Sequence, residues 1–226
     1  MKLITPGALR ASLETLLPKF EALTGHRVSM VLSPALAIPE RLKAETFDIA
    51  IMGAGSAEKL VASGLLRSFT RIARSGVGAF VRRGDPKPDV HDADAFVRSL
   101  KTAKAITYSD PGLGGTASNY VDQLLSRLDT EGDIKPKVKL AVEYRSIANI
   151  VAAGGVDIAL NQIPEVIADP RLELAGPLPP PYQYYTEYVI GLLSTSDQGA
   201  VGEKLVDFLR SPDAVPVMRN EGFEPE

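Results

Sequence analysis

Residues 105–128 read AITYSDPGLGGTASNYVDQLLSRL. The stretch begins with a short apolar run at 105–108 that has the length and composition of a buried strand. It passes through a loop with three glycines, and a helical pattern follows at 117–128. A strand that leads through a glycine loop into a helix is the repeating unit of α/β proteins with parallel sheets.

The same alternation of short apolar runs and longer helical patterns extends in both directions along the chain. It predicts an α/β fold with mainly parallel sheets flanked by helices. The proline-rich segment at 174–185 is predicted to be a loop, and residues 211–223 a partly helical tail. Predicted strands lie at 2–5, 26–32, 47–52, 77–82, 138–142, 156–160 and 187–194, and predicted helices at 8–23, 39–44, 58–63, 93–101, 146–153 and 200–210.

The composition limits the classes of partner. With 226 residues and 45% hydrophobic content, the chain can bury one sizeable core or two smaller ones. A net charge of -3 gives no general attraction to nucleic acid or anionic lipid, so we expect no nucleic-acid partner. The absence of cysteine excludes disulfides, thiolate metal sites and cysteine nucleophiles. Any bound anion must therefore be held by a local site.

The N-terminal sequence carries no recognisable targeting signal. The apolar run at 1–4 is too short for a signal peptide, and Pro6 and Gly7 interrupt it. No segment is apolar and long enough to predict direct membrane insertion. The sequence as written predicts a cytoplasmic protein, and a periplasmic one if a leader has been removed.

Motifs for cofactors and for common catalytic machinery are weak or missing. The segment FDIAIMGAGSAEKL at 47–60 resembles a dinucleotide-binding turn, but Glu58 stands at the third glycine position, so a plain strand-to-helix turn is favoured. His26 and His91 are not at metal-binding spacing, and no G-x-S-x-G or P-loop motif is present. The sequence predicts no metal, no cofactor and no identifiable catalytic residue.

Four loops of similar chemistry lie where a predicted strand ends and a helix begins. Open parallel sheets bind ligands at the carboxyl ends of their strands, where helix N-termini present N–H groups and partial positive charge. The loops therefore predict an anion site, although each loop alone is equally well explained as a helix cap, with Thr116 or Ser118 as the cap of the 117–128 helix. The candidate ligand-binding residues in these loops are Gly7, Ala8, Ala35, Leu36, Gly114, Gly115, Thr116, Ser118, Tyr144 and Arg145.

Arg145 is the strongly basic side chain within these loops. A cation is unfavourable at a helix N-terminus unless an anion lies nearby, which favours a ligand contact over a solvated charge. Four tyrosines at 182–188 form a second group of interest. They are interpreted either as the lining of an entry or as rings that pack on the proline-rich segment.

The order of these pieces resembles the type II periplasmic solute-binding proteins, within their molybdate-binding-protein-like branch. The resemblance is carried by four blocks: ALRASLETLLPKFEALTGHRV at 8–28, ERLKAETFDIAIMGAGSAEKLVASGLL at 40–66, IVAAGGVDIAL at 150–160 and VGEKLVDFLRSPDAVPVMRNEGFEP at 201–225. It implies two α/β lobes, with lobe one at 1–78 plus 190–226 and lobe two at 79–189. It also implies hinge strands near 77–81 and 188–193, a ligand in the cleft between the lobes, and delivery to an ABC permease.

Departures from the family pattern bear on the ligand. Molybdate binders of this group use serine hydroxyls in the first two loops, where Ala8 and Ala35 stand here. Asn161 or Gln162 replaces the family's tyrosine after the glycine-acid strand, and both join the candidate ligand-binding residues. These departures favour a small organic carboxylate over a tetrahedral metal oxyanion.

Two alternatives remain on the same fold. Some proteins similar to molybdate binders are cofactor-independent aconitate isomerases, and Glu143, Tyr144 or Glu187 would then be the candidate base. The second alternative is a cytoplasmic ligand sensor like the effector domains of transcription regulators, but no helix-turn-helix segment supports it.

Overall fold

The computed structural model describes residues 1–143 and 146–226. The chain divides into two compact units. Unit 1 consists of Met1–Ser75 and Thr186–Glu226, and unit 2 consists of Gly76–Tyr185. Strands β4 (Leu66–Arg82) and β9 (Tyr185–Leu193) contain the two points at which the chain passes from one unit to the other.

Unit 1 is a sheet with the strand order β2-β1-β3-β9-β4. Strands β1, β2 and β3 are parallel, β9 is antiparallel to β3, and β10 pairs with β4. Its other strands are β1 (Lys2–Pro6), β2 (Ser29–Ser33), β3 (Ile49–Gly53) and β10 (Glu224–Pro225), and its helices are α1 (Arg10–Thr24), α2 (Ile38–Ala44), α3 (Ala54–Ala62), α8 (Gly199–Leu209) and α9 (Val215–Asn220).

The packing of α1 follows from the spacing of its apolar residues. Leu13, Leu16 and Phe20 are spaced three and four apart, so they lie on one face and are buried in the unit 1 core. Pro18 lies inside the helix, which continues through it to Thr24. Gly25 then ends the helix in the left-handed conformation, with a φ of 73°.

Unit 2 is a second sheet with the order β4-β7-β5-β6, and β8 also pairs with β4. Strands β5, β6 and β7 are parallel, and β4 is antiparallel to β7 and β8. Apolar clusters cover both faces of this sheet. Its other strands are β5 (Ile106–Ser109), β6 (Val138–Ala141), β7 (Ile158–Gln162) and β8 (Leu172–Pro177), and its helices are α4 (Ala93–Thr102), α5 (Thr116–Leu128), α6 (Ile147–Ala152) and α7 (Ile163–Val166).

The predicted α/β class is confirmed, although each sheet combines parallel strands with antiparallel ones. Several predicted elements are wrong. Strand β4 has 17 residues, whereas only 77–82 was predicted, because its first part exposes arginines and lacks a continuous apolar run. Strand β8 occupies part of the predicted loop at 174–185. Helix α3 begins at Ala54 rather than at 58, and β2 begins at Ser29 rather than at 26. Among the described residues, no helix combines the length and apolar character needed to cross a bilayer.

Candidate functional site

The carboxyl ends of β5, β6 and β7 form one edge of the unit 2 sheet, because these strands are parallel. The loop after β5 lies against the end of β6, since the Asp110 N–H donates to the Ala141 carbonyl at 2.9 Å. Asn161 and Gln162 end β7 at the same edge. The structure therefore brings six candidate residues to this edge, namely Gly114, Gly115, Thr116, Ser118, Asn161 and Gln162.

Two tight turns deliver the chain from β5 to α5. The Asp110 carboxylate accepts the Gly112 N–H at 2.8 Å, and a single 3₁₀ turn follows at Pro111–Leu113. Gly114 has a φ of 78°, a conformation that disfavours residues with a β-carbon. Gly115 is extended and is the N-cap of α5. Glycine is therefore favoured at position 114 by the backbone turn, so this glycine of the cluster has a conformational cause.

Helix α5 begins without an acidic or capping side chain of its own that could compensate the helix dipole. The N-cap is a glycine, and the first turn contains no acidic residue. In the same unit α4 begins differently, since Asp92 accepts the Ala95 N–H at 2.7 Å and Asp94 lies in the first turn. First-turn N–H groups have no acceptor within their own helix. The start of the 13-residue helix α5 is therefore suited to an external anion.

Ser118 donates a hydrogen bond to the N-cap residue, whereas a capping side chain accepts one from a backbone N–H. Its Oγ donates to the Gly115 carbonyl at 2.9 Å. The helix begins at Thr116 and its N-cap is Gly115. The expectation that Thr116 or Ser118 is the cap is therefore wrong, because both lie within the first helical turn.

Two buried carboxamides end β7. Asn161 and Gln162 are 4% and 3% exposed. Successive strand residues point to opposite faces, and Leu160 belongs to the apolar cluster that contains α5 residues. Gln162 therefore lies on the α5 face and Asn161 on the opposite one, where its Nδ2 donates to Glu165 Oε2 at 3.2 Å. Carboxamide N–H groups bind anionic oxygen without adding a charge of their own.

The candidate residues of unit 1 lie at the corresponding edge of its own sheet. Pro6 of β1 is opposite Ser33 of β2, so the loops that follow the two strands are neighbours. Gly7 and Ala8 belong to a 3₁₀ turn after β1, and Ala35 and Leu36 belong to one after β2. Ala8 is buried in the core, whereas Leu36 is 47% exposed. No side chain of these four residues can donate a hydrogen bond.

Three buried hydroxyls lie near this edge but are not among the candidate ligand-binding residues, although Thr5 and Ser33 belong to the predicted anion-site loops. Within the described part of the chain, the Thr5 and Ser33 hydroxyls make long contacts of 3.4 and 3.3 Å with the carbonyls of the prolines that follow them. Ser12, one helical turn after Ala8, has an Oγ without a hydrogen-bond partner among the described residues. Position at the end of a predicted strand was the available signal for Thr5 and Ser33.

Four candidate residues remain, and two of them, Tyr144 and Arg145, lie outside the described residues. Glu143 is exposed, and its carbonyl accepts the Ser146 hydroxyl at 2.7 Å. Glu187 forms an ion pair of 3.3 Å with Arg71 in unit 1. Among the described residues no ion-pair partner faces Glu143, and a carboxylate outside an ion pair is more easily protonated than Glu187 beside Arg71.

The tyrosines at 182–188 have separate packing partners. In unit 2, Tyr182 contacts Phe96 and Tyr184 stacks on Tyr120 of α5. In unit 1, Tyr188 is buried edge-on against Phe223. The first two rings belong to the periphery of the unit 2 core.

His91 lies on the surface between two carboxylates. Its Nδ1 is 2.6 Å from Asp89 and its Nε2 is 2.7 Å from Asp92. Hydrogen bonding to Asp89 and the negative charges of both aspartates raise the pKa of His91, against a smaller opposing effect of Arg98. Asp92 is the cap of α4, so this cluster holds the start of that helix rather than a ligand.

Comparison with known proteins gives consistent results for the fold. The chain is 27% identical to an aconitate isomerase from a Pseudomonas species over 233 aligned positions, which cover 100% of this chain and 87% of that protein. The periplasmic molybdate-binding protein of Azotobacter vinelandii superposes with a TM-score of 0.75 at 17% identity, covering 99% of this chain and 98% of that one. The sulfate-binding protein of Mycobacterium tuberculosis superposes with a TM-score of 0.77 at 16% identity, covering 100% and 86%.

At these identities the two superpositions establish the fold alone, which is that of the type II periplasmic binding proteins. The match to a sequence family is more informative because it extends over nearly the whole chain, at residues 1–224. This chain therefore belongs to the bacterial extracellular solute-binding protein family.

Proposed function

We propose that the protein is the substrate receptor of an ABC-type transporter and that it captures a small anion, specifically an organic carboxylate. The start of α5 is the observation that carries this proposal. Its first-turn N–H groups follow the glycine loop and lie at the carboxyl edge of three parallel strands. The first helical turn contains no acidic side chain. Family membership supports the receptor role.

The surrounding side chains favour a carboxylate over a tetrahedral metal oxyanion. The four candidate residues of the unit 1 loops carry no side-chain donor, so the donors near this edge are the buried hydroxyls of Thr5, Ser12 and Ser33. In unit 2, Gln162 is a neutral donor on the α5 face, whereas the Asn161 amide already donates to Glu165. Arg145 is the basic residue that the sequence supplies for a bidentate carboxylate contact. An elongated organic anion requires fewer donors around each oxygen than a compact oxyanion surrounded on all sides.

Ligand-dependent thermal stability tests the proposal. The protein is melted with citrate, cis-aconitate and trans-aconitate, and separately with molybdate, tungstate and sulfate. A ligand at about 100 times its Kd stabilises the folded state by about 2.7 kcal/mol, which is an easily measured rise in Tm. Stabilisation by carboxylates is expected. Stabilisation by the inorganic anions alone would refute the carboxylate, and no stabilisation by any of the six would refute the anion receptor.

A charge change at the site provides a matched comparison. Gln162→Glu introduces a buried carboxylate at the carboxyl edge and should abolish anion binding by repulsion. Gln123→Glu makes the same change on an exposed position of α5. The second variant should bind as the wild type does. Equal affinities in the two variants would place the site elsewhere.

A cofactor-independent isomerase is the second candidate, because the relative aligned over the whole chain is named aconitate isomerase. In this reaction a base removes a proton from a methylene carbon, the double bond migrates, and the proton returns at the other end of the allylic system. Helix N–H groups would stabilise the enolate-like state. Concentrated protein incubated with cis- or trans-aconitate should then change the ultraviolet absorbance. A flat trace would exclude this activity.

A further inference from the structure

We infer that Tyr120 and Gln183 are positioning residues that couple the anion loop at 110–118 to the ends of unit 2. The inference rests on the proposed function, since it assumes that an anion binds at the start of α5. It adds two residues that do not belong to the loop. Neither is among the candidate ligand-binding residues.

Tyr120 connects α5 to the segment at 182–184. It lies one helical turn after Thr116, so it shares a face with the first residue of the helix. Its ring stacks on Tyr184 with centroids 4.6 Å apart and an interplanar angle of 17°. Its hydroxyl donates to the Tyr182 carbonyl at 2.9 Å. Two contacts of different kinds thus fix the start of α5 to this segment.

Gln183 holds the backbone of Val77 from the other side of the same segment. Its Oε1 accepts the Val77 N–H at 2.9 Å, and its Nε2 donates to the Val77 carbonyl at 3.0 Å. The carboxamide therefore pairs with Val77 as a neighbouring strand would. A β-carbon at Gly76 would lie 2.9 Å from Gln183 Nε2, so the side chain occupies space that only glycine leaves open.

The pairing of Gln183 with Val77 lies close to both points at which the chain passes from one unit to the other. Unit 2 begins at Gly76 and ends at Tyr185, so Val77 and Gln183 are each within two residues of a point where the chain passes between units. The path from the loop to Val77 runs through α5, the Tyr120–Tyr184 stack and the Gln183 carboxamide. Ordering of the loop by a ligand should therefore also restrain the backbone at both ends of unit 2, and the effect must be reciprocal.

A purely structural role makes a different prediction. Tyr120 and Tyr184 pack at the periphery of the unit 2 core, and their loss should lower stability in any case. Coupling requires in addition that the response of Val77 to ligand disappears. Amide hydrogen exchange at Val77 and Tyr184, both bonded to Gln183 Oε1, measures that response directly.

The experiment compares exchange with and without saturating trans-aconitate, or with molybdate if the thermal screen selects it, on the full chain. In the wild type the ligand should slow exchange at both amides. Tyr120→Leu should remove this slowing and weaken ligand binding by roughly 2- to 10-fold, the equivalent of one aromatic pair. Tyr120→Phe retains the stack and should retain most of the slowing. Gln183→Met should remove the slowing while leaving the stack in place.

Phe208→Leu is the control, because it removes an aromatic pair with Phe20 at 5.7 Å in unit 1. It should lower stability and leave the ligand response at Val77 unchanged. If Tyr120→Leu and Gln183→Met both retain the full response, the coupling is refuted while the receptor function stands. If the wild type binds none of the six anions, the proposed function fails first and the coupling fails with it.

Discussion

Replacement of Gly115 by valine separates the two roles of the α5 loop. Gly115 is extended, so a side chain is sterically allowed by the backbone. However, an added β-carbon would lie 2.8 Å from Ser118 Oγ, which must move and lose its 2.9 Å bond to the Gly115 carbonyl. That bond contributes about 1 kcal/mol. The poorer N-cap propensity of valine adds up to about 1 kcal/mol, so a stability loss of about 1–2 kcal/mol is expected.

The effect on binding should be larger. The valine methyl groups stand at the N-cap, where the proposed anion would approach the first-turn N–H groups. Loss of one charge-assisted hydrogen bond costs about 1.5–3 kcal/mol, which is roughly a 10- to 150-fold increase in Kd. Calorimetric titration well below the melting temperature measures Kd on the folded protein, and urea unfolding measures stability independently.

Gly132→Val is the matched control. Gly132 has a φ of 74° and nothing near its missing β-carbon, so valine there costs about 1–2 kcal/mol through backbone strain. Gly132 lies between α5 and β6, at the edge of the sheet opposite the strand carboxyl ends. Equal Kd values for Gly115→Val and Gly132→Val would refute the binding role and leave the loop as a helix start only.

Two further substitutions in unit 2 test a buried hydrogen bond and a surface charge interaction. The buried Tyr108 hydroxyl donates to Asp122 at 2.6 Å, so Tyr108→Phe should cost about 1 kcal/mol in urea unfolding and leave ligand affinity unchanged. The pKa of His91 is raised, chiefly by its hydrogen bond to Asp89, so its contribution to stability is present below the unfolded pKa and is lost as pH rises through the folded one. His91→Gln should therefore lower Tm at pH 5 and have little effect at pH 9, and an equal loss at both would refute the charge interaction.

The sequence predicts the parallel strands of both units well because their physical signals are strong. Strands such as β3 and β7 are buried on both faces and appear as short apolar runs. The glycine loop before α5 is also predictable, because Gly114 needs a positive φ and Gly115 is an N-cap without a side chain. The mistaken cap assignment arose because hydroxyls that follow glycines are typical of both N-caps and first-turn positions.

Elements at the boundary of the units were harder to predict. The first part of β4 alternates irregularly, since Arg67, Arg71 and Arg74 are exposed and bonded to partners far away in sequence. Strand β8 contains Gly176 and Pro177, which usually indicate a turn. Its pairing with β4 is a long-range contact, and it allows a strand where local propensity predicts a loop. The proposed role of Gln183 also depends on a long-range contact, with Val77, so the neighbouring sequence does not predict it.

Backbone N–H groups at a helix start can stabilise both a bound carboxylate and an enolate-like intermediate, so an anion site at the α5 loop would suit a receptor and an isomerase alike. The two functions differ only in whether a base removes a carbon-bound proton. A receptor leaves every C–H bond of its ligand intact, whereas an isomerase breaks one and opens the removed proton to exchange with solvent. Incubation of trans-aconitate in D₂O, followed by NMR, should therefore leave the methylene signal unchanged if the protein is a receptor. Deuterium incorporation that is lost in Gly115→Val together with binding would refute the receptor and place the chemistry at this loop.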